Sequence, residues 1–213
     1  MFKSKAALAV IIPLGLVACS TPEGEITDMG ITAVRSACPA VAIPASTGDI
    51  TLFNPENSRD ASAIDVVANI TNLRSTCDES GERIVTSVTF DVHAQRRDGR
   101  GAREVVLPYF AVALQGGTQV QAKSVSRVGL RFADGQLRAS ASASASGQVS
   151  RAAATLPEDV RQQITRRRKP GDPSAAVDPM ADPAVREAVR RASFEVLVGF
   201  QLTQDQLVYN ATR

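Results

Sequence analysis

RIVTSVTFDVHAQ, residues 83–95, alternates without a break. Ile84, Thr86, Val88, Phe90, Val92 and Ala94 fall on one side of an extended chain, and Val85, Ser87, Thr89, Asp91, His93 and Gln95 on the other. A period of two is what a strand with one buried and one wetted face requires. Its neighbours carry the same texture. RRDGRG follows, with Asp98-Gly99 suited to a hairpin turn. EVVLPYFAVALQ (104–115) is apolar on both faces, which predicts a strand covered on both sides. QVQAKSVSRVGLRF (119–132) alternates again and stops before Asp134-Gly135.

In QLRASASASASGQVS (136–150), Ala139, Ala141, Ala143 and Ala145 alternate with Ser140, Ser142, Ser144 and Ser146. The period is a strand's, and a row of small residues would let another element approach closely; a low-complexity linker is the other reading of that composition. Upstream, SAIDVVANITNLRSTC (62–77) sets Ile64, Val66, Ala68 and Ile70 against Asp65, Asn69 and Thr71. CPAVAIPAS (38–46) suits an edge strand, because its prolines lack ladder donors, and DITLF (49–53) reads as its continuation past Thr47-Gly48.

Helices are predicted only late in the chain. Thr155-Leu-Pro-Glu158 fits a capping box ahead of the stripe Val160 and Ile164, in a helix that runs into RRRK and ends at Pro170. Asp182-Pro183 opens a second helix through about Arg191. Phe194, Val196, Val198, Phe200 and Leu202 then alternate, Gln204-Asp205 turns and QLVYNA returns, which predicts a terminal hairpin. Short strands joined by tight turns predict a mainly β fold: an antiparallel β-sandwich, immunoglobulin-like by analogy, with a two-helix insertion at about 155–193.

The N-terminus is of another kind. Lys3 and Lys5 precede an apolar run from Ala6 to Ala18, broken by Pro13 and Gly15. A membrane-spanning helix needs roughly 20 apolar residues, so the run is too short to span and has the form of a secretory signal. Leu16-Val17-Ala18-Cys19 resembles the lipobox of bacterial lipoproteins. That resemblance implies removal of residues 1–18, acylation of Cys19 and, with Ser20 rather than aspartate next, sorting to the outer membrane. Two or more acyl chains hold a protein stably where one does so only marginally. Residues 19–35 then read as a polar tether and residues 36–213 as the sandwich domain. The resemblance is to small Gram-negative envelope lipoproteins of unassigned role.

With Cys19 acylated, two cysteines remain, Cys38 and Cys77, an even number that predicts a disulfide in an oxidising compartment. Free buried thiols are the alternative. Without Lys3 and Lys5 the 24 basic residues fall to equal the 22 acidic ones, so charge gives no support to nucleic-acid binding. The chain has no Trp and one His, so an aliphatic core is expected.

Chemistry is sparse. His93 lies in one outward row with Asp91, Thr89 and Ser87; a triad would need a nucleophile in reach and a third group orienting the base. No glycine loop follows a strand, no Cys or His pair has metal spacing and no serine is flanked like a nucleophile elbow, so neither cofactor nor metal is expected. Arg166, Arg167, Arg168 and Lys169 complement a helix C-terminus or, joined by Arg190 and Arg191, form a patch for an anionic partner. Asn210-Ala-Thr212 matches a glycosylation sequon by chance. The expectation is a lipid-anchored, non-catalytic binding or scaffolding module on the periplasmic face of the outer membrane, with an envelope protein as partner. A carrier of a small apolar ligand and a hydrolase using His93 are the alternatives. An enclosed apolar cavity would mark the first, and His93 in a cleft beside a nucleophile the second.

Overall fold

The computed structural model describes residues 26–27, 30–31, 36–166, 171 and 177–212. The chain divides into two units, Met1–Arg35 and Ser36–Arg213. In the first, β1 (Ile26–Thr27) pairs antiparallel with β2 (Gly30–Ile31). The signal segment, Cys19 and most of the tether lie outside the described residues.

The second unit is a sandwich. β3 (Ala40–Ala42), β10 (Phe194–Phe200), β7 (Arg103–Gln115) and β8 (Gln119–Phe132) form one sheet in that order; β4 (Asp49–Phe53), β5 (Ile64–Asp78), β6 (Arg83–Arg96) and β9 (Arg138–Ser150) form the other. Every pairing is antiparallel except β3 with β10. β9 returns to β6 after the β7–β8 hairpin has crossed to the opposite sheet, the kind of connection a Greek key makes.

The alternation in β6 decides which side is core. Its predicted inward residues are buried, Ile84, Val88, Phe90 and Val92 at no more than 1% exposure. Val88, Phe90 and Val92 meet Leu107 and Tyr109 of β7, Leu130 and Phe132 of β8, and Val196, Val198 and Phe200 of β10, while Ile84 packs with Ala113, Val149 and Phe194. The Phe90 and Tyr109 rings pack edge to face with centroids 5.2 Å apart. Residues 138–150 are a strand and not a linker, and the small row has a packing reason. A Cβ at Gly147 would sit 2.6 Å from Val196 Cγ2, and the Tyr109 hydroxyl donates to the Ser144 carbonyl at 2.8 Å. With larger residues there, the opposite sheet could not come this near.

Five expectations need correction. DITLF does not continue the edge strand β3; the turn at 43–48 carries the chain into the other sheet, where β4 pairs with β5. β7 is covered on both faces only over Ala111–Ala113; nearer its start Val106, on the outward side, is 52% exposed.

The capping box fails at Thr155: α2 (Glu158–Thr165) starts after Pro157, whose side chain cannot cap, and the Thr155 hydroxyl instead donates to the Arg151 carbonyl at the end of α1 (Arg151–Ala154). α2 also stops at Thr165, ahead of the basic run, because beyond the buried Val160 and half-buried Ile164 no further apolar residue continues its stripe. α3 (Pro183–Arg191) is capped as expected, Asp182 Oδ1 accepting from the Ala184 amide at 2.8 Å.

The largest difference is at the end. No terminal hairpin forms: β10 is followed by α4 (Gln204–Thr212). Thr203 and Gln206 make the reciprocal bonds of a capping box, the Thr203 amide donating to Gln206 Oε1 (2.9 Å) and the Gln206 amide to Thr203 Oγ1 (3.3 Å). α4 is anchored on β4 by the Phe53–Tyr209 edge contact at 5.1 Å and by Asn210 Nδ2, which donates to the Ser46 and Asp49 carbonyls at 3.0 and 2.7 Å. The sequon nitrogen is thus spent on backbone.

Candidate functional site

The outward face of the sheet β4-β5-β6-β9 is built by the pleat from the residues that alternate with the core. Cross-strand register aligns Asn69 of β5, His93 of β6 and Ser140 of β9, and one row along aligns Val67, Gln95 and Arg138. Directly opposed side chains on one sheet face have Cβ atoms about 4.5–5.5 Å apart. These rows line an open concavity of about 500 Å³ that Arg131 and Gln136 complete. A second open hollow of about 760 Å³ adjoins it, lined by Ile64, Asp65, Val67, Gln95 and Arg97.

The hydrogen bonds decide what this face can do. His93 is exposed, and no hydrogen bond joins it to Ser140 or Asp91 among the described residues. Asp91 faces other neighbours: Oδ1 accepts from Ser142 Oγ and Oδ2 from Asn72 Nδ2, both at 2.7 Å. These two bonds, Ser142 first, hold its carboxyl below the usual range. Asn72 reaches Asp91 because β5 breaks register between Thr71 and Arg74, where Asn72 takes φ +52°, a left-handed conformation that asparagine tolerates. A serine, a histidine and an acid therefore share one sheet face, while the acid orients no base. Among the described residues no group of three His, Cys, Asp or Glu side chains could hold a metal.

Cys38 and Cys77 are joined by a disulfide, Cα atoms 6.1 Å apart. Cys38 precedes β3 at the edge of one sheet and Cys77 closes β5 in the other, so the bond links the two layers. Closing a loop of about 40 residues stabilises by roughly 4 kcal/mol in the chain-entropy model.

Of the six basic residues the sequence groups together, three can be placed. Arg167, Arg168 and Lys169 lie outside the described residues. Arg166 is exposed just past α2. Arg190 donates to both oxygens of Glu187 at 2.8 Å and reaches the Gly116 carbonyl at 3.3 Å, while Arg191 lies 3.7 Å from Glu187. The bond from Arg190 depresses the Glu187 carboxyl below the usual range.

One charged residue escaped the sequence reading. Arg96 continues the inward row of β6 past Ala94 and is 2% exposed. Its guanidinium donates to the carbonyls of Gln136 (2.7 Å), Gly101 (2.8 Å), Ala133 (2.9 Å) and Gly99, and stands 5.2 Å from the Phe132 ring centroid. The four carbonyls belong to the turns after β6 and after β8, so one side chain binds both Asp-Gly turns. The signal was the unbroken period of two, which carries to Arg96 between Asp98-Gly99 and Asp134-Gly135.

Comparison with known proteins yields no matching family model, no matching curated protein and no matching solved structure. Among the described residues no helix is long and apolar enough to cross a membrane.

Proposed function

We propose that this chain is an exported lipoprotein, tethered through Cys19 to the periplasmic face of the outer membrane, whose sandwich binds or scaffolds another envelope protein and performs no catalysis. The observation that carries the reading is the cross-sheet bond between Cys38 and Cys77, because structural disulfides persist in oxidising compartments and are rare in the cytosol. It agrees with the export signal and with the Leu16-Val17-Ala18-Cys19 stretch.

Two further features favour binding over the alternatives. The space between the sheets is filled by Phe90, Phe132, Phe200, Leu107 and Leu130, and both hollows open outward, an arrangement unsuited to enclosing an apolar cargo. Asp91 commits both its oxygens to Ser142 and Asn72, so it does not serve His93 as a triad acid serves its base.

Cys19→Ala is expected to leave the precursor uncleaved and to shift it out of the membrane fraction, as read by gel mobility and fractionation; normal maturation of that variant would refute the tether. Crosslinking in intact envelopes followed by mass spectrometry should return a discrete protein partner of the wild-type chain.

A further inference from the structure

The outer face of the sheet β3-β10-β7-β8 carries exposed apolar side chains beside cations. β7 turns Val105, Leu107, Tyr109 and Ala111 inward, which leaves Val106 and Phe110 outward. On β8 the buried residues are Val128, Leu130 and Phe132, so Lys123, Val125 and Arg127 lie on the same outer face, paired with Val112, Phe110 and Pro108. A register shift between Ala113 and Leu114 sets Val120 opposite Leu114 on this same face, and Val106, Val120 and Val125 are 52%, 60% and 56% exposed. Lys123 Nζ sits 5.2 Å from the Phe110 ring centroid, within cation–π range. Neither Lys123 nor Arg127 has a carboxylate partner among the described residues, whereas Arg131, further along, faces Glu104 at 3.5 Å. Cations on an edge strand discourage strand addition, which accounts for Lys123 and Arg127 but not for the valines beside them.

We propose that this face rests on an anionic lipid bilayer, with Val106, Phe110, Val120 and Val125 entering the boundary between headgroups and acyl chains while Lys123 and Arg127 meet the phosphates. An apolar strip edged by unpaired cations is the pattern of interfacial binding. The choice of a bilayer over a protein partner rests on the reading of Cys19 as a lipid anchor. Roughly 17 residues between Cys19 and the sandwich reach at most about 60 Å, so the tether would hold the domain within constant reach of the surface.

The chain contains no tryptophan, so a single one reports on its own surroundings. V125W places it on this face and, in a separate chain, T89W places it on the exposed outward side of β6. Full-length protein would be mixed with phosphatidylglycerol vesicles carrying brominated acyl chains, and with neutral phosphatidylcholine vesicles of the same kind. The expected result is a blue shift and bromine quenching for V125W in phosphatidylglycerol and none for T89W. Adding K123Q and R127Q to V125W should raise the lipid concentration at half-quenching about thirtyfold, and high salt should act in the same direction.

Flotation of the same samples in high salt reads the anchor separately. Protein that floats with V125W unquenched rejects the face and leaves the tether standing. Quenching at low salt without flotation at high salt keeps the face and removes the tether. Equal quenching of V125W and T89W overturns the proposal, as does a concentration-dependent blue shift of V125W without lipid, which would assign the face to a second copy of the chain.

Discussion

The two outer faces of this sandwich follow one rule and end in opposite chemistry. On the sheet β4-β5-β6-β9, residues that alternate with the core are mainly Ser, Thr, Asn, Asp, His and Gln, with Val67 and Val85 among them, and several bond to one another, as Asp91 does with Ser142 and Asn72. On the sheet β3-β10-β7-β8, the corresponding positions of β7 and β8 hold Val106, Phe110 and Val125, with Lys123 and Arg127 between them. A period of two fixes which side of a strand meets the core and is silent about what meets the other side. An outward row of hydroxyls is satisfied by water. An outward row of valines acquires a free-energy gain only when something apolar covers it.

The strongest test of the inward rule is its most polar member. Arg96→Met removes the charged donors to four turn carbonyls of exposed or half-buried residues and empties the buried guanidinium site, so it is expected to cost about 1.5–3 kcal/mol, as the loss of hydrogen bonds to a charged group does. Urea denaturation of the variant against wild type reads this directly. A loss below about 1 kcal/mol would mean that the two turns satisfy their carbonyls without the guanidinium.

Gly147 tests how closely the sheets approach. Gly147→Val pushes a branched side chain into Val196 and should destabilise by about 1–3 kcal/mol, as overpacking does. Val196→Ala in the same chain should recover part of the loss, which a double-mutant cycle would detect as coupling. Strictly additive effects would remove the close-packing account of β9.

On the outer face the expected effect is small by contrast. Val106→Thr and Val125→Thr should each change the unfolding free energy by no more than about 0.5 kcal/mol, because in the isolated domain those side chains already face water. Destabilisation comparable to that of Gly147→Val would show that the face is covered within the chain itself.

The smallest expected effect lies on the hydroxyl face. Asp91 should titrate below the value near 3.9 of an unperturbed aspartate, and Ser142→Ala should move its midpoint upward, as read by carboxyl NMR shifts. Because the folded value is the depressed one, its contribution to stability is present above about pH 3.9 and fades as pH falls through the lower folded value. An unchanged midpoint in Ser142→Ala would assign the depression to Asn72.

How much of this was legible in the sequence follows from what local pattern can carry. The alternation of β6 and the pairing of Cys38 with Cys77 were readable because each follows from spacing or count. The β9 row was readable as a strand because small residues kept the period, although only Val196 across the core explains why they are small. α4 was not readable as a helix. QLVYNA looks strand-like in isolation, and what made it helical was the Thr203–Gln206 cap together with the contacts of Tyr209 and Asn210 to β4 and the turn before it, from a distant part of the chain. The Thr155 box failed because α2 begins later, with Pro157 at its N-cap, so Thr155 closes α1 instead through its bond to the Arg151 carbonyl. For the candidate site, the residue types on the β6 face were visible in advance. Which of them bond was set by the register of three strands and a bulge at Asn72.

The account stands on a folded domain held to a membrane through one sulfur, and intact mass spectrometry of protein purified from envelopes tests it most directly. The predicted result is a chain beginning at Cys19 that carries diacylglycerol and an N-acyl group, with Cys38 and Cys77 refractory to alkylation until reduced. A chain with an unmodified Cys19 would contradict it.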